Sequence, residues 1–113
     1  MGLFKDFTVE GGLIIPEEYK SRPEGHEKAV WTHLDGTTTR YVEIEDMHLM
    51  NILHLVRRSK SCYQQMVNMG STSKEIIDQL KYFKIQDIHA SYEVYRRGLY
   101  VNKKEEYTEI KEH

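Results

Sequence analysis

At 113 residues the chain has room for one domain, not for the several that a multidomain enzyme needs. Hydrophobic residues make up 39% of it and aromatics 11%, with only two prolines, a composition that folds rather than staying disordered. Sixteen basic side chains against eighteen acidic ones leave a formal charge of −2, which argues against a dedicated nucleic-acid binder. The longest uncharged apolar run, Gly11 to Pro16, is far shorter than the roughly 18 residues of a membrane span.

Neither a secretory leader nor an acyl anchor is expected, since Met1-Gly2-Leu3-Phe4-Lys5 runs into Asp6 where N-myristoylation wants Ser or Thr. The single cysteine, Cys62, excludes an intramolecular disulfide framework and a multi-cysteine zinc site, and points to a reducing cytoplasm. A core this small makes self-association a natural source of extra stability.

Residues 1–28 read as a variable lead-in. Leu13-Ile14-Ile15 has the composition of a short strand stopped by Pro16, and Glu17 to Glu27, with Ser21, Pro23 and Gly25, reads as an exposed connector. A core domain follows over 29–99. Its first element is a two-stranded hairpin, Ala29 to His33 and Thr38 to Ile44, turning at Asp35-Gly36. A hairpin alone is marginal, so it must pack on something.

Glu45-Asp46 opens a helix with Asp46 as N-cap, and apolar residues at 47, 49, 50, 52, 53, 55 and 56 make most of that helix buried. His48, Asn51, His54 and Arg58 fall within an arc of about 120° and form its one polar strip. Ser59 to Ser71 either extends this helix or forms a separate short one, with Gly70 as its stop. Thr72-Ser73-Lys74-Glu75 is a capping-box pattern that starts a long helix, its N-cap being Thr72. The apolar spacing of that helix breaks between Phe83 and Ile88, which predicts a bend or register change near Lys84 to Asp87, and Gly98 ends it. The tail, 100–113, is either a docked strand or a frayed arm. The fold class is therefore α+β, a short β-hairpin packed on two or three helices, the last long.

The order Trp31-x3-Asp35-Gly36, Val42-x-Ile44, Met47-His48-Leu49-x-Asn51 and Glu93-x2-Arg96-Arg97-Gly98-Leu99 resembles a widespread group of small bacteriophage-encoded proteins. Their pattern is a Trp, a Gly turn, Ile-x-Ile-x-x-Met, His-Leu-x-Asn and a closing Glu-x-x-Arg-Arg-Gly-Leu. The likeness covers Val30 to Arg58 and Tyr92 to Leu99. Here His48 follows Met47 directly, where the group has two or three residues between them. The resemblance implies a phage origin, and with it an inhibitor or a sponge directed at host defence.

Chemistry-bearing patterns point away from catalysis. His48 and His54 are six residues apart, about 120° around a helix and about 9 Å along it, too far for one ion, so no metal and no cofactor is expected. Cys62 lacks a neighbouring histidine, and no phosphate-cradling glycine loop occurs. The strip His48–Asn51–His54–Arg58 either is a wet helix face, with Asn51 bonded to the hairpin backbone, or meets a ligand. Tyr92, Tyr95, Arg96 and Arg97 combine stacking rings with phosphate-binding cations, a set that suits an interface or a nucleotide-like anion. The expected function is non-enzymatic sequestration, in the host cytoplasm, of a small anionic, nucleotide-like immune signal by a homo-oligomer whose ligand residues are these eight. The alternative is an inhibitor or adaptor that binds a host defence protein; neither reading involves a membrane or nucleic acid.

Overall fold

The structure, a computed structural model, describes residues 13–100. The first twelve residues, and the tail after Tyr100 with its strand-or-arm alternatives, lie outside them. The described chain is α+β: a two-stranded antiparallel hairpin and two long helices. No helix among the described residues is long and apolar enough to cross a membrane.

Strand β1 (Val30–Thr32) pairs with β2 (Thr38–Arg40) in the register Trp31 opposite Thr39. Asp35 builds the turn by accepting bonds from the Thr37 amide at 3.0 Å and its hydroxyl at 2.7 Å, while Gly36 takes a φ of 92°. The second strand is shorter than its composition suggests. After Arg40 the chain tightens into a 3-10 turn, Tyr41–Glu43, which carries Tyr41 and Ile44 into the core.

Helix α1 (Asp46–Asn68) and α2 (Lys74–Arg96) run antiparallel, as Arg57 and Lys60 opposite Asp87 and Tyr63 opposite Phe83 require. The Ser59 to Ser71 stretch thus extends the first helix, and two helices suffice. Both end the same way. Gly70 and Gly98 adopt φ values of 104° and 73°, and the amides of Ser71 and Leu99 reach back to the carbonyls of Met66 and Val94. This double closure needs a left-handed residue after the helix, which glycine adopts without strain. A Cβ at Gly98 would meet nothing within 4 Å, so only the backbone resists one. Gly98→Ala should therefore cost about 1–2 kcal/mol and lower the melting temperature by several degrees in a calorimetric scan.

The helix starts differ from expectation by one residue each. Glu45 occupies the α1 cap position, and Asp46 is the first helical residue, where it pairs with Arg97 instead of capping. Ser73, not Thr72, precedes α2, so Glu75 stands one position too early to close a capping box. Helix α2 also runs unbroken through Lys84 to Asp87. Buried Gln86 and Asp87 fill the positions where apolar spacing lapses, so a polar pair keeps the helix in step with α1.

The core gathers where the hairpin meets the helix pair: Trp31, Tyr41, Ile44, Leu49, Ile52, Leu53, Val56, Ala90 and Val94, together with Leu13 and Ile15. Each large aliphatic side chain fully buried there contributes about 1.5–3 kcal/mol. The last two come from the expected lead-in. They lie in no strand, and Arg57 holds them down by donating to the Ile14 carbonyl at 2.9 Å.

Candidate functional site

Beneath the hairpin the polar side chains of α2 form a buried lattice. Glu93 is fully buried and accepts bonds from His26, Arg96 and Arg97, with 2.7 Å to His26 Nε2 and 2.7 Å to Arg97 Nε. Burial pushes its carboxyl up, but Arg96, His26 and Arg97 outweigh that and hold it at about 2. Arg97 also donates to the carbonyls of Ile44 at 2.6 Å and Tyr41 at 3.0 Å, and to Asp46 at 2.9 Å. It is a staple tying α2 to the chain that leads from β2 into α1. About two turns back along α2, Tyr41 donates its hydroxyl to Gln86, and Asp87 accepts from Arg57, Lys60 and Ser91.

His26 sits in the centre of this lattice. Its other ring nitrogen, Nδ1, lies 3.0 Å from Nδ1 of His89, and the two rings stack at 5.2 Å. Tyr92 meets His26 edge-on at 4.9 Å.

The second feature is a surface. Met47, His48, Asn51, Leu55, Arg58 and Cys62 all fall on one side of α1, and all six are exposed. His48 stacks on His33 of the hairpin turn at 5.6 Å, and Leu34, the next residue of that turn, is fully exposed. Met47 and Leu55 are 68% and 40% exposed, so this helix is less buried than its apolar density predicts. Among the described residues, Asn51 and Arg58 make no hydrogen bond or ion pair. The bond from Asn51 to the hairpin backbone is not formed.

The eight expected ligand residues are thus divided. His48, Asn51 and Arg58 share the outward face of α1, whereas His54 turns inward at its edge. There burial, then the charges of Arg57 and Arg58, lowers the His54 pKa. Tyr92 and Tyr95 are half-buried, Tyr95 lying 5.6 Å beneath the Lys20 ammonium and 5.3 Å from Tyr100. Arg96 and Arg97 face inward to Glu93. No hydrogen bond joins His48, Asn51 or Arg58 to Tyr92, Tyr95, Arg96 or Arg97. A cavity of about 310 Å³ at the far end of the helix pair is lined by Tyr63, Glu75, Ile76 and Gln79, a carboxylate and no cation, which does not suit an anion.

His26, His89, Glu93 and Asp87 carry the lattice, and none of them is among the eight expected ligand residues, although Glu93 opens the closing Glu-x-x-Arg-Arg-Gly-Leu motif. Spacing holds part of the signal, because Glu93 stands three and four residues before Arg96 and Arg97, the distance for ion pairs along a helix. Nothing local marks His26, which lies 67 residues from Glu93. No group of three or more potential metal ligands occurs among the described residues. No protein-family model, curated protein or solved structure matches the chain.

Proposed function

We propose that this chain is a non-enzymatic protein of phage type that docks on a host protein in the host cytoplasm, with the outward face of α1 as its contact surface. One observation carries the reading. Six residues of mixed character, Met47, His48, Asn51, Leu55, Arg58 and Cys62, lie exposed on one ridge, and Leu34, next in sequence to the His33 that stacks on His48, is fully exposed. Apolar anchors among polar groups with open donors and acceptors are what a protein interface uses, and a convex ridge fits a partner's groove. The phage origin rests on the resemblance, three of whose residues, Met47, His48 and Asn51, lie on this ridge.

Sequestration of a nucleotide-like anion finds less support, because a phosphate would have to draw Arg96 and Arg97 away from a buried carboxylate. One observation favours it as a second reading. Among the described residues Arg58 makes no hydrogen bond or ion pair, and it shares its face with the stacked His33–His48 rings, so a base and a phosphate both find a complement there. Self-association would use the same apolar edge.

The test places a photo-crosslinking residue at Leu55 and compares the chain with a Leu34→Asp/Met47→Asp variant in host cells. Both substituted positions are exposed, so the melting temperature should stay within about 1 kcal/mol of stability of the parent. One host protein should crosslink to the parent and be lost, at least ten-fold, with the variant. A crosslink to a second copy, or several degrees of stabilisation by a nucleotide in a thermal-shift screen without any host crosslink, would overturn the docking reading.

A further inference from the structure

We propose that His26 and His89 form a proton-operated latch, which holds the 3-10 turn His26–Lys28 against the helix pair and releases it when both imidazoles are charged. His26 is the only buried residue between Pro16 and Lys28; earlier in that segment Tyr19 packs half-buried against the core and the Lys20 ammonium lies over the Tyr95 ring, so the latch acts on the turn around His26. Its Nε2 faces the ionised Glu93 carboxylate at 2.7 Å and must carry the hydrogen of that bond. The remaining contact joins two Nδ1 atoms 3.0 Å apart, where one nitrogen donates and the other accepts. A single imidazolium is compatible with this bond, because the other ring's Nδ1 still accepts. Two are not, because both Nδ1 atoms would then carry hydrogens pointed at each other between stacked rings.

The surrounding charges do not relieve that clash. On the segment itself Arg22 is paired with Glu27, and Lys28 is exposed. From α2 come Tyr92 and Glu93, the latter already matched by Arg96 and Arg97, and about two turns earlier Asp87, matched by Arg57 and Lys60 of α1. From the turn after β2 comes Tyr41, whose ring lies 6.4 Å from His26 and 6.1 Å from His89 and whose hydroxyl is bonded to Gln86. Asp46 at the start of α1 is bonded to Arg97. Among the described residues that face the pair, no carboxylate is left unmatched to balance the second proton's charge. Burial, and then the charge of His26, lower the His89 pKa, so the second proton arrives on the acid side of the ordinary histidine value. The latch is closed at neutral pH and opens as pH falls.

The experiment follows the full chain by NMR between about pH 8 and about pH 5, reading imidazole nitrogen shifts and amide exchange corrected for its intrinsic rate. The Lys28 and Ala29 amides, bonded to the carbonyls of Gly25 and His26, should lose about ten-fold or more of their protection as the second imidazole titrates, while core amides of α2 keep theirs. In His89→Gln, whose side chain donates or accepts at any pH without titrating, the loss should disappear. The proposal is overturned if both rings become charged in the parent chain with protection intact. A parallel loss in His89→Gln would overturn it as well. The parent titration stands by itself should the variant fold poorly.

Discussion

Glu93→Gln should remove about 3–5 kcal/mol of stability, among the largest losses any single substitution can produce in this chain. The amide has nearly the same shape but no charge, and it turns an NH2 toward groups that are all donors: the guanidinia of Arg96 and Arg97 and the ring of His26. Arg97, only 14% exposed and bonded to two backbone carbonyls, cannot follow its charge into water. Urea denaturation at neutral pH measures the loss as a shift of midpoint at constant slope. Replacing Arg96, which is 45% exposed, should cost far less than replacing Glu93.

The same residue governs acid behaviour. Its carboxyl titrates at about 2 in the fold against an ordinary 4.5, so the folded state binds its proton less readily than the unfolded chain does. That contribution, on the order of 3 kcal/mol, is fully present above about 4.5 and lost as pH falls toward 2. Burial lowers His54 and His89 as well, so their share declines from about the ordinary histidine value downward, at higher pH than the Glu93 limb. Glu93→Gln should erase the lower limb of the stability profile and leave the upper one.

What the sequence disclosed was what neighbours along the chain decide. Asp35-Gly36, Gly70 and Gly98 each impose a backbone turn through their own residues, so the hairpin and both helix ends were legible. The helix starts were off by one residue because Asp46 found a stronger partner in Arg97, 51 positions away. The lead-in was misjudged for a similar reason. Leu13 and Ile15 read as a short strand and His26 as part of an exposed connector beside Pro23 and Gly25, and only α1 and α2, tens of residues downstream, supply their partners. On the candidate site, residue type told that Arg96 and Arg97 carry charge but not where it is matched. Helical periodicity did better with the strip on α1, placing His48, Asn51 and Arg58 on one face. It failed for His54 at the edge of the arc, where a few degrees of helix rotation decide between core and water.

Asp87→Ala tests the complementary case, a carboxylate as deeply buried as Glu93 whose cations have somewhere to go. Asp87 is 1% exposed and accepts from Ser91 at 2.7 Å as well as from Arg57 and Lys60. Burial pulls the Lys60 ammonium down, but the bond to Asp87 more than compensates and holds its pKa above the ordinary lysine value. The side chains of Arg57 and Lys60 are 21% and 28% exposed, so both heads can swing into water once the carboxylate is gone. The loss should therefore be about 2–3 kcal/mol, below that of Glu93→Gln, and made up of the deserted Ser91 hydroxyl and the space left behind. A cost for Asp87→Ala equal to that of Glu93→Gln in urea denaturation would show that solvent access to the cations does not decide the price of breaking a buried pair.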